Sequence, residues 1–238
     1  MAPSLPAKRP SWRPDIEGLR GLAVLLVVGF HAGFPLLRGA FVAVDVFFVL
    51  SGFFLTSALL RELVADRDVP LSDAYGRRIW RLMPALLVVL LATLLMSTFL
   101  FAPIDRADIA SNLLPMAFFT GNLDLAADGV NYFSAGENPL LHLWTLGIEY
   151  QLLLFWPALL LLLGWIGRRR AGAADSDATR QLIVLRTLLA GIAMAGAVSF
   201  ALSIWLSSAS PMWAYFGPHT RLWAFAAGSA MAFIAGAG

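Results

Sequence analysis

The sequence contains no cysteine. That excludes a thiol nucleophile, a redox dithiol and any thiolate metal site. Histidine is nearly as scarce, with three in 238 residues. Charge is low as well: Asp, Glu, Lys and Arg make up 13% of the chain, against about a quarter in a soluble domain. Hydrophobic residues reach 59% and the mean hydropathy is +0.76. A water-soluble globule of this length could not hide that much apolar surface. Lipid must be the solvent for most of the chain, which rules out a soluble enzyme, a disordered chain and a disulfide-stapled secreted domain. There is no GxSxG elbow, no HExxH site and no phosphate-cradling loop, and no bound metal or cofactor is expected. The net charge of +2 does not point to nucleic acid either. The basic residues alternate with hydrophobic runs instead of clustering among aromatics on one face.

What is present is a series of long apolar runs. A span needs about 20 mostly apolar residues to cross about 30 Å of hydrocarbon. Five runs qualify and a sixth comes close, at 21–37, 39–60, 82–102, 139–167, 187–210 and 222–238. The expected fold is all-α, a polytopic transmembrane helical bundle of about six spans. Lys and Arg prefer cytoplasmic loops. Lys8, Arg9, Arg13 and Arg20 precede or open the first span. Arg61, Arg67, Arg77, Arg78 and Arg81 separate the second and third runs, and Arg168, Arg169, Arg170, Arg180 and Arg186 the fourth and fifth. The other connections carry Arg38, Arg106 and Arg221 singly. The N-terminus is therefore expected in the cytoplasm, with the protein in a bacterial-type inner membrane. The stretch 109–123 is also fairly apolar, but Asn112, Pro115 and Asn122 interrupt it. A full crossing there would carry Arg168–Arg170 to the outside, so a re-entrant or interfacial segment is expected, covered by protein or a wet cavity. The first run starts late and has no cleavage site of the usual kind, so it reads as a signal anchor. The stretch 171–179 reads as a flexible loop.

Ionisable groups at membrane depth are costly and mark functional candidates. Here they are His31, Asp45 and Glu149, with His142 near a helix end. His31 follows Arg20 by eleven residues, about 16 Å along a helix and nearly one full azimuthal cycle, so the two share a face. Asp45 opens the second run, and Thr56 follows it on the same face. His142, Thr145 and Glu149 form one polar stripe. Together these residues predict a polar chamber in the outer half of the membrane. Structural roles are the alternative for each: a backbone contact for His31, an interfacial position for His142, a brace to Arg38 or a helix N-terminus for Asp45, packing for Trp144, and headgroup anchoring for Arg77, Arg78 and Arg81. A histidine and a carboxylate suit general-base attack by a hydroxyl. They suit a proton-coupled transporter equally, and the residues alone leave both open.

Five blocks carry a resemblance. RPDIEGLRGLAVLLVVGFHAGF at 13–34 resembles the start of the acyltransferase 3 family, integral-membrane O-acyltransferases of carbohydrates and some lipids. GAFVAVDVFFVLSGFFLT at 39–56 is similar to its GxxGVDVFFVxSGFL block, and RRIWRLMPALLVV at 77–89 to RRxxRxxPALL. ENPLLHLWTLGIEYQLLLFWP at 137–157 resembles PLxHxWSLxxEEQFY, and HTRLWAFAAGSAMA at 219–232 resembles TRxWELLxG. The blocks stand in the family's order. The resemblance implies a membrane-bound transferase that moves an acyl group, first of all acetyl, from cytoplasmic acyl-CoA as co-substrate to a hydroxyl of an extracytoplasmic carbohydrate or glycolipid. It makes His31 and Arg20 the essential pair, matches Glu149 to the family's glutamate, and places His142, Trp144 and Arg221, with Asp45, on the acceptor side. Glu149 or Asp45 would then orient the imidazole, and Arg20 would hold a CoA phosphate or the acyl carbonyl. Arg77, Arg78 and Arg81 would attract CoA phosphates. Three positions depart from the blocks: Tyr150 replaces a second glutamate, Leu152-Leu153 an aromatic pair, and Ala224 a glutamate. Family domains continue through further helices. Residues 1–238 are therefore read as the N-terminal portion of an acyltransferase 3-like membrane domain, with the C-terminal helices absent and a non-catalytic truncated homologue as the alternative.

Overall fold

The structure is a computed structural model describing residues 13–64, 71–133, 138–172, 174 and 176–236. Among the described residues there are nine α-helices and no strand, in line with the all-α expectation. The helices are α1 Pro14–His31, α2 Val44–Val64, α3 Leu71–Leu100, α4 Pro103–Ala117, α5 Gly121–Ala127, α6 Trp144–Arg170, α7 Asp177–Ala209, α8 Pro211–Phe216 and α9 Pro218–Gly236. Short 3-10 turns at Pro35–Leu37, Ala40–Ala43 and Leu141–Leu143 join some of them. The chain forms two compact units, Met1–Phe47 and Phe48–Gly238, with the boundary inside α2.

Among the described residues, four helical stretches are long and apolar enough to cross a membrane: Ala40–Val64, Leu82–Leu100, Leu141–Arg170 and Asp177–Ala209. They match the runs at 39–60, 82–102, 139–167 and 187–210. The other two expected spans are helical but more polar at their starts. α1 has 18 residues and carries Asp15, Glu17 and Arg20 early; α9 has 19 and opens with His219, Thr220 and Arg221.

The run 21–37 is not one helix. α1 stops at His31, where Gly33 takes φ +76°. The Gly33 amide bonds the Phe30 carbonyl at 3.0 Å, and the Phe34 amide reaches back to Gly29 at 3.2 Å. This is a Schellman stop, which needs the left-handed conformation that glycine supplies without strain. The chain then folds back. Leu37 packs against Gly29, where a Cβ would collide with the Leu37 side chain, and Phe41 meets Phe30 at 5.6 Å.

The stretch 109–123 is likewise broken. α4 ends at Ala117, Phe119 adopts φ +58°, and α5 starts at Gly121. With 15 residues, α4 spans about 22 Å, short of the about 30 Å hydrocarbon layer. The loop expected at 171–179 is shorter than expected, because α7 begins at Asp177. The Ser176 hydroxyl caps it by accepting from the Thr179 amide at 3.2 Å. α3 also begins eleven residues before its apolar run. Hydropathy marks the lipid layer, whereas a helix continues for as long as its backbone hydrogen bonds do.

Two buried polar knots hold the second unit together. In the first, α2 and α9 approach at backbone distance. A Cβ on Gly52 would strike the Phe225 carbonyl, and one on Gly228 the Val49 carbonyl. Beside this contact the Thr56 hydroxyl donates to Ser229 Oγ at 2.8 Å and accepts from Trp156 Nε1 at 2.9 Å, while Ser229 reaches the carbonyls of Gly52 and Phe225. Thr56, Trp156 and Ser229 are fully buried. In the second knot, Asn122 on α5 and Gln151 on α6 exchange amide hydrogen bonds of 3.2 and 2.8 Å. Asn122 also donates to the Phe216 carbonyl and Gln151 to that of Phe119. Gly147 makes room for Asn122. Away from water such donors must be paired, so both knots tie helices that are distant in sequence.

Candidate active site

The first unit holds Arg20, His31 and Asp45. α1 runs unbroken from Arg20 to His31, so the eleven-residue spacing becomes an axial separation of about 16 Å on one face. Arg20 pairs with Glu17 one turn earlier at 3.2 Å, both well exposed. Such a pair contributes about 0–1 kcal/mol and is readily exchanged. His31 is the last residue of α1 and is exposed, its ring edge-on to Phe30 at 5.1 Å. The run 21–37 would place this histidine mid-helix; the Schellman stop instead leaves it at the C-terminal end of α1. Asp45 is half-buried in the first turn of α2, where a carboxylate meets the positive end of the helix.

The second unit holds Glu149, His142, Trp144 and Arg221. Glu149 is half-buried on α6, and the Ser51 hydroxyl of α2 donates to its Oε1 at 2.7 Å. That bond ties the carboxylate of α6 to α2. His142 lies outside α6, exposed in the Leu141–Leu143 turn, and its carbonyl accepts from the Thr145 hydroxyl at 3.2 Å. The polar stripe expected from His142 through Glu149 therefore begins only at Thr145 as a helical face.

Trp144 and Arg221 are brought together. The Arg221 guanidinium lies 5.8 Å from the Trp144 ring and 5.2 Å from Tyr215, and its Nε donates to the Tyr215 carbonyl. Tyr132 completes the cluster, 5.1 Å from Tyr215 and 6.2 Å from Trp144. Burial raises the Tyr132 phenol above its ordinary value, and a hydrogen bond with Trp144 opposes part of that rise. Trp144 is itself buried, so its role includes packing as well as a cation–π contact. The arrangement is a fixed cation framed by aromatic faces. Arg77, Arg78 and Arg81 lie on α3 with side chains outside the described residues.

The three departures have packing counterparts. Tyr150 is buried and stacks on Phe119 at 3.8 Å, across the strained turn between α4 and α5. Leu152, Leu153 and Ala224 are all buried. Ser51, Tyr132 and Tyr215 were missed by sequence reasoning. Ser51 could have been found, as a hydroxyl in the apolar run 39–60. The two tyrosines carry no signal, because an aromatic near a span end is ordinarily an interface anchor.

Comparison with known proteins adds an independent line. A family model described as an acyltransferase domain matches residues 13–238. The peptidoglycan O-acetyltransferase OatA of Listeria monocytogenes is 31% identical over 224 residues, covering 93% of this chain and 34% of that protein. A putative peptidoglycan O-acetyltransferase of Bacillus subtilis, YrhL, is 30% identical over 223 residues, covering 93% and 33%. A putative O-acetyltransferase of Staphylococcus aureus strain MSSA476 is 36% identical over 157 residues, covering 66% and 26%. The chain thus spans about a third or less of the length of these curated relatives. No solved structure matches it.

Proposed function

Because the chain belongs to the acyltransferase 3 family, we propose that it transfers an acyl group, acetyl first of all, from cytoplasmic acyl-CoA to a hydroxyl of an extracytoplasmic glycan. The relatives' names point to a cell-wall glycan as acceptor. The observation that carries the proposal is the unbroken α1, which sets Arg20 and His31 on one face about 16 Å apart. That spacing favours separate partners for the two groups. Arg20 is assigned to a CoA phosphate and His31 to the reacting thioester.

In this reading His31 takes the proton of the acceptor hydroxyl as its oxygen attacks the thioester carbonyl. The C–O bond forms, the C–S bond breaks, and the departing CoA thiolate recovers the proton from His31. An acyl-His31 intermediate is the two-step variant. A carboxylate holds the imidazole tautomer; Asp45, in the same unit, and Glu149 are the two candidates. Arg221, Trp144 and His142 are assigned to the acceptor, and Arg77, Arg78 and Arg81 to CoA phosphates.

The same reading sets α1, α2, α3, α6, α7 and α9 across an inner membrane with the N-terminus in the cytoplasm. α4 and α5 stay on the outer side without crossing. Because the chain has no cysteine, one introduced at residue 115 reports its side cleanly, and labelling from the cytoplasm would sink this topology. The activity is tested with the protein in lipid, labelled acetyl-CoA and cell-wall glycan fragments. His31→Ala is expected to lower transfer by about 10²–10⁴-fold. Transfer at the wild-type rate would remove His31 from the chemistry.

A further inference from the structure

The first turn of α9, which carries Arg221, is held from behind by α7. The Ser199 hydroxyl of α7 donates to the His219 carbonyl at 2.6 Å and accepts from the Trp223 amide at 3.0 Å. In a regular helix those two backbone groups, four residues apart, pair with each other. A side-chain hydroxyl bonded to both spans the turn and ties its direction to α7. Ser199 is buried, so water does not compete for either bond. Arg221 lies midway between His219 and Trp223, about 200° around the helix from each. That turns it away from α7 and towards Tyr215 of α8, whose carbonyl accepts from its Nε at 3.3 Å. The corner between α8 and α9 is braced as well. The fully buried Thr220 hydroxyl lies 2.8 Å from the carbonyls of both Ala214 and Gly217. α9 opens on Pro218, whose fixed φ and missing N–H suit a helix start. Gly217 permits the tight corner, since a Cβ there would collide with the Trp213 carbonyl and the His219 ring. Ser199 belongs to none of the five sequence blocks, and it stands in an apolar run as one more small residue.

On the reading that Arg221 meets the acceptor, we propose that Ser199 is a positioning residue for acceptor binding. Its bridge across the first turn of α9, with Thr220 bracing the corner, aims the Arg221 guanidinium at the glycan. Hydrogen bonds from a guanidinium are directional, and a side chain ordered in advance loses less freedom when a ligand binds. Slackening the turn therefore weakens the hold on the glycan and leaves the acyl donor and the chemical step alone.

The test uses the full chain in lipid, with labelled acetyl-CoA and cell-wall glycan fragments each varied in turn. Ser199→Ala is expected to raise the KM for the glycan about threefold or more, with kcat and the KM for acetyl-CoA unchanged. Thr220→Val keeps the shape and loses the hydroxyl, and should shift the same constant. Thr220→Ser keeps the hydroxyl and should hold it near the wild-type value. A purely structural role would lower the active fraction, and with it kcat, and leave both KM values where they are. An unchanged glycan KM in Ser199→Ala overturns the positioning role. Should Ser199→Ala not give folded protein, the Thr220 pair decides: the same glycan KM in Thr220→Val and Thr220→Ser overturns it. Arg221→Gln separates the two levels. If it leaves the glycan KM unchanged, the acceptor assignment of Arg221 fails, and with it the role of Ser199. If it raises that KM while Ser199→Ala does not, the positioning role alone fails.

Discussion

α3 and α6 are both long apolar helices, yet they differ in a way that runs against soluble-protein intuition. The most apolar window of α3 has mean hydropathy 2.3 and is 17% buried; that of the Leu141–Arg170 stretch, which contains α6, has 1.8 and is 44% buried. The more hydrophobic helix is the less enclosed one. On α3, Val88, Leu91 and Phe99 face outward, and Leu86, Leu90 and Ser97 form a single inward stripe. α6 contributes Glu149, Gln151 and Trp156 to contacts with α2, α5 and the turn before α5. Lipid selects hydrophobicity on the outside, and association inside rests on small residues and hydrogen bonds. In this chain polarity marks the interior.

That contrast can be broken at several points. Gly228→Val is expected to have the largest effect on stability, because its side chain would enter the backbone contact between α9 and α2. A loss of about 1–3 kcal/mol or more should appear as a lower melting temperature in detergent. A wild-type melt would mean that the two backbones do not touch. Asn122→Ala should follow. It leaves the Gln151 amide short of a partner, at about 1–3 kcal/mol, and chemical denaturation monitored by tryptophan fluorescence would read it. Trp156→Phe shrinks a fully buried indole to a phenyl and removes the donor to Thr56. The hydrogen bond itself should account for about 0.6 kcal/mol of the loss, the membrane average for such bonds, read as the coupling in a cycle with Thr56→Val, which should cost less in the Trp156→Phe background than alone. Val88→Ala, at an outward position on α3, should stay within about 0.5 kcal/mol. A larger shift there would show that α3 is enclosed after all.

The same contrast explains what the sequence made legible. Apolar runs betray the lipid-facing surface, so four helices long enough to cross were visible at 39–60, 82–102, 139–167 and 187–210. Charges at depth betray the interior, so Glu149 could be singled out before its Ser51 partner was known. Counting apolar residues missed the stop at His31, because Phe34, Leu36 and Leu37 keep the run apolar beyond it. The signal was Gly33, read as one more small residue in a span. It also missed the Asn122–Gln151 exchange, since an amide at 122 reads as an interruption until its partner 29 residues later is placed beside it. The Trp144–Arg221 meeting could be expected only from the family blocks. Nothing in spacing alone brings residue 221 to residue 144.

The Thr56–Ser229 bond joins residues 173 positions apart, and this has a consequence in time. A ribosome adding about 5–20 residues per second needs about 9–35 s to go from one to the other. For that interval the face of α2 carrying Gly52 and Thr56 is made but lacks its α9 neighbour. Early helices must therefore wait in the bilayer, or at the insertion machinery, with a hydroxyl and a backbone groove provisionally covered by lipid, water or another protein. The α2–α9 contact therefore closes late, only once α9 has been made, and a chaperone of this step would be expected to act on α2.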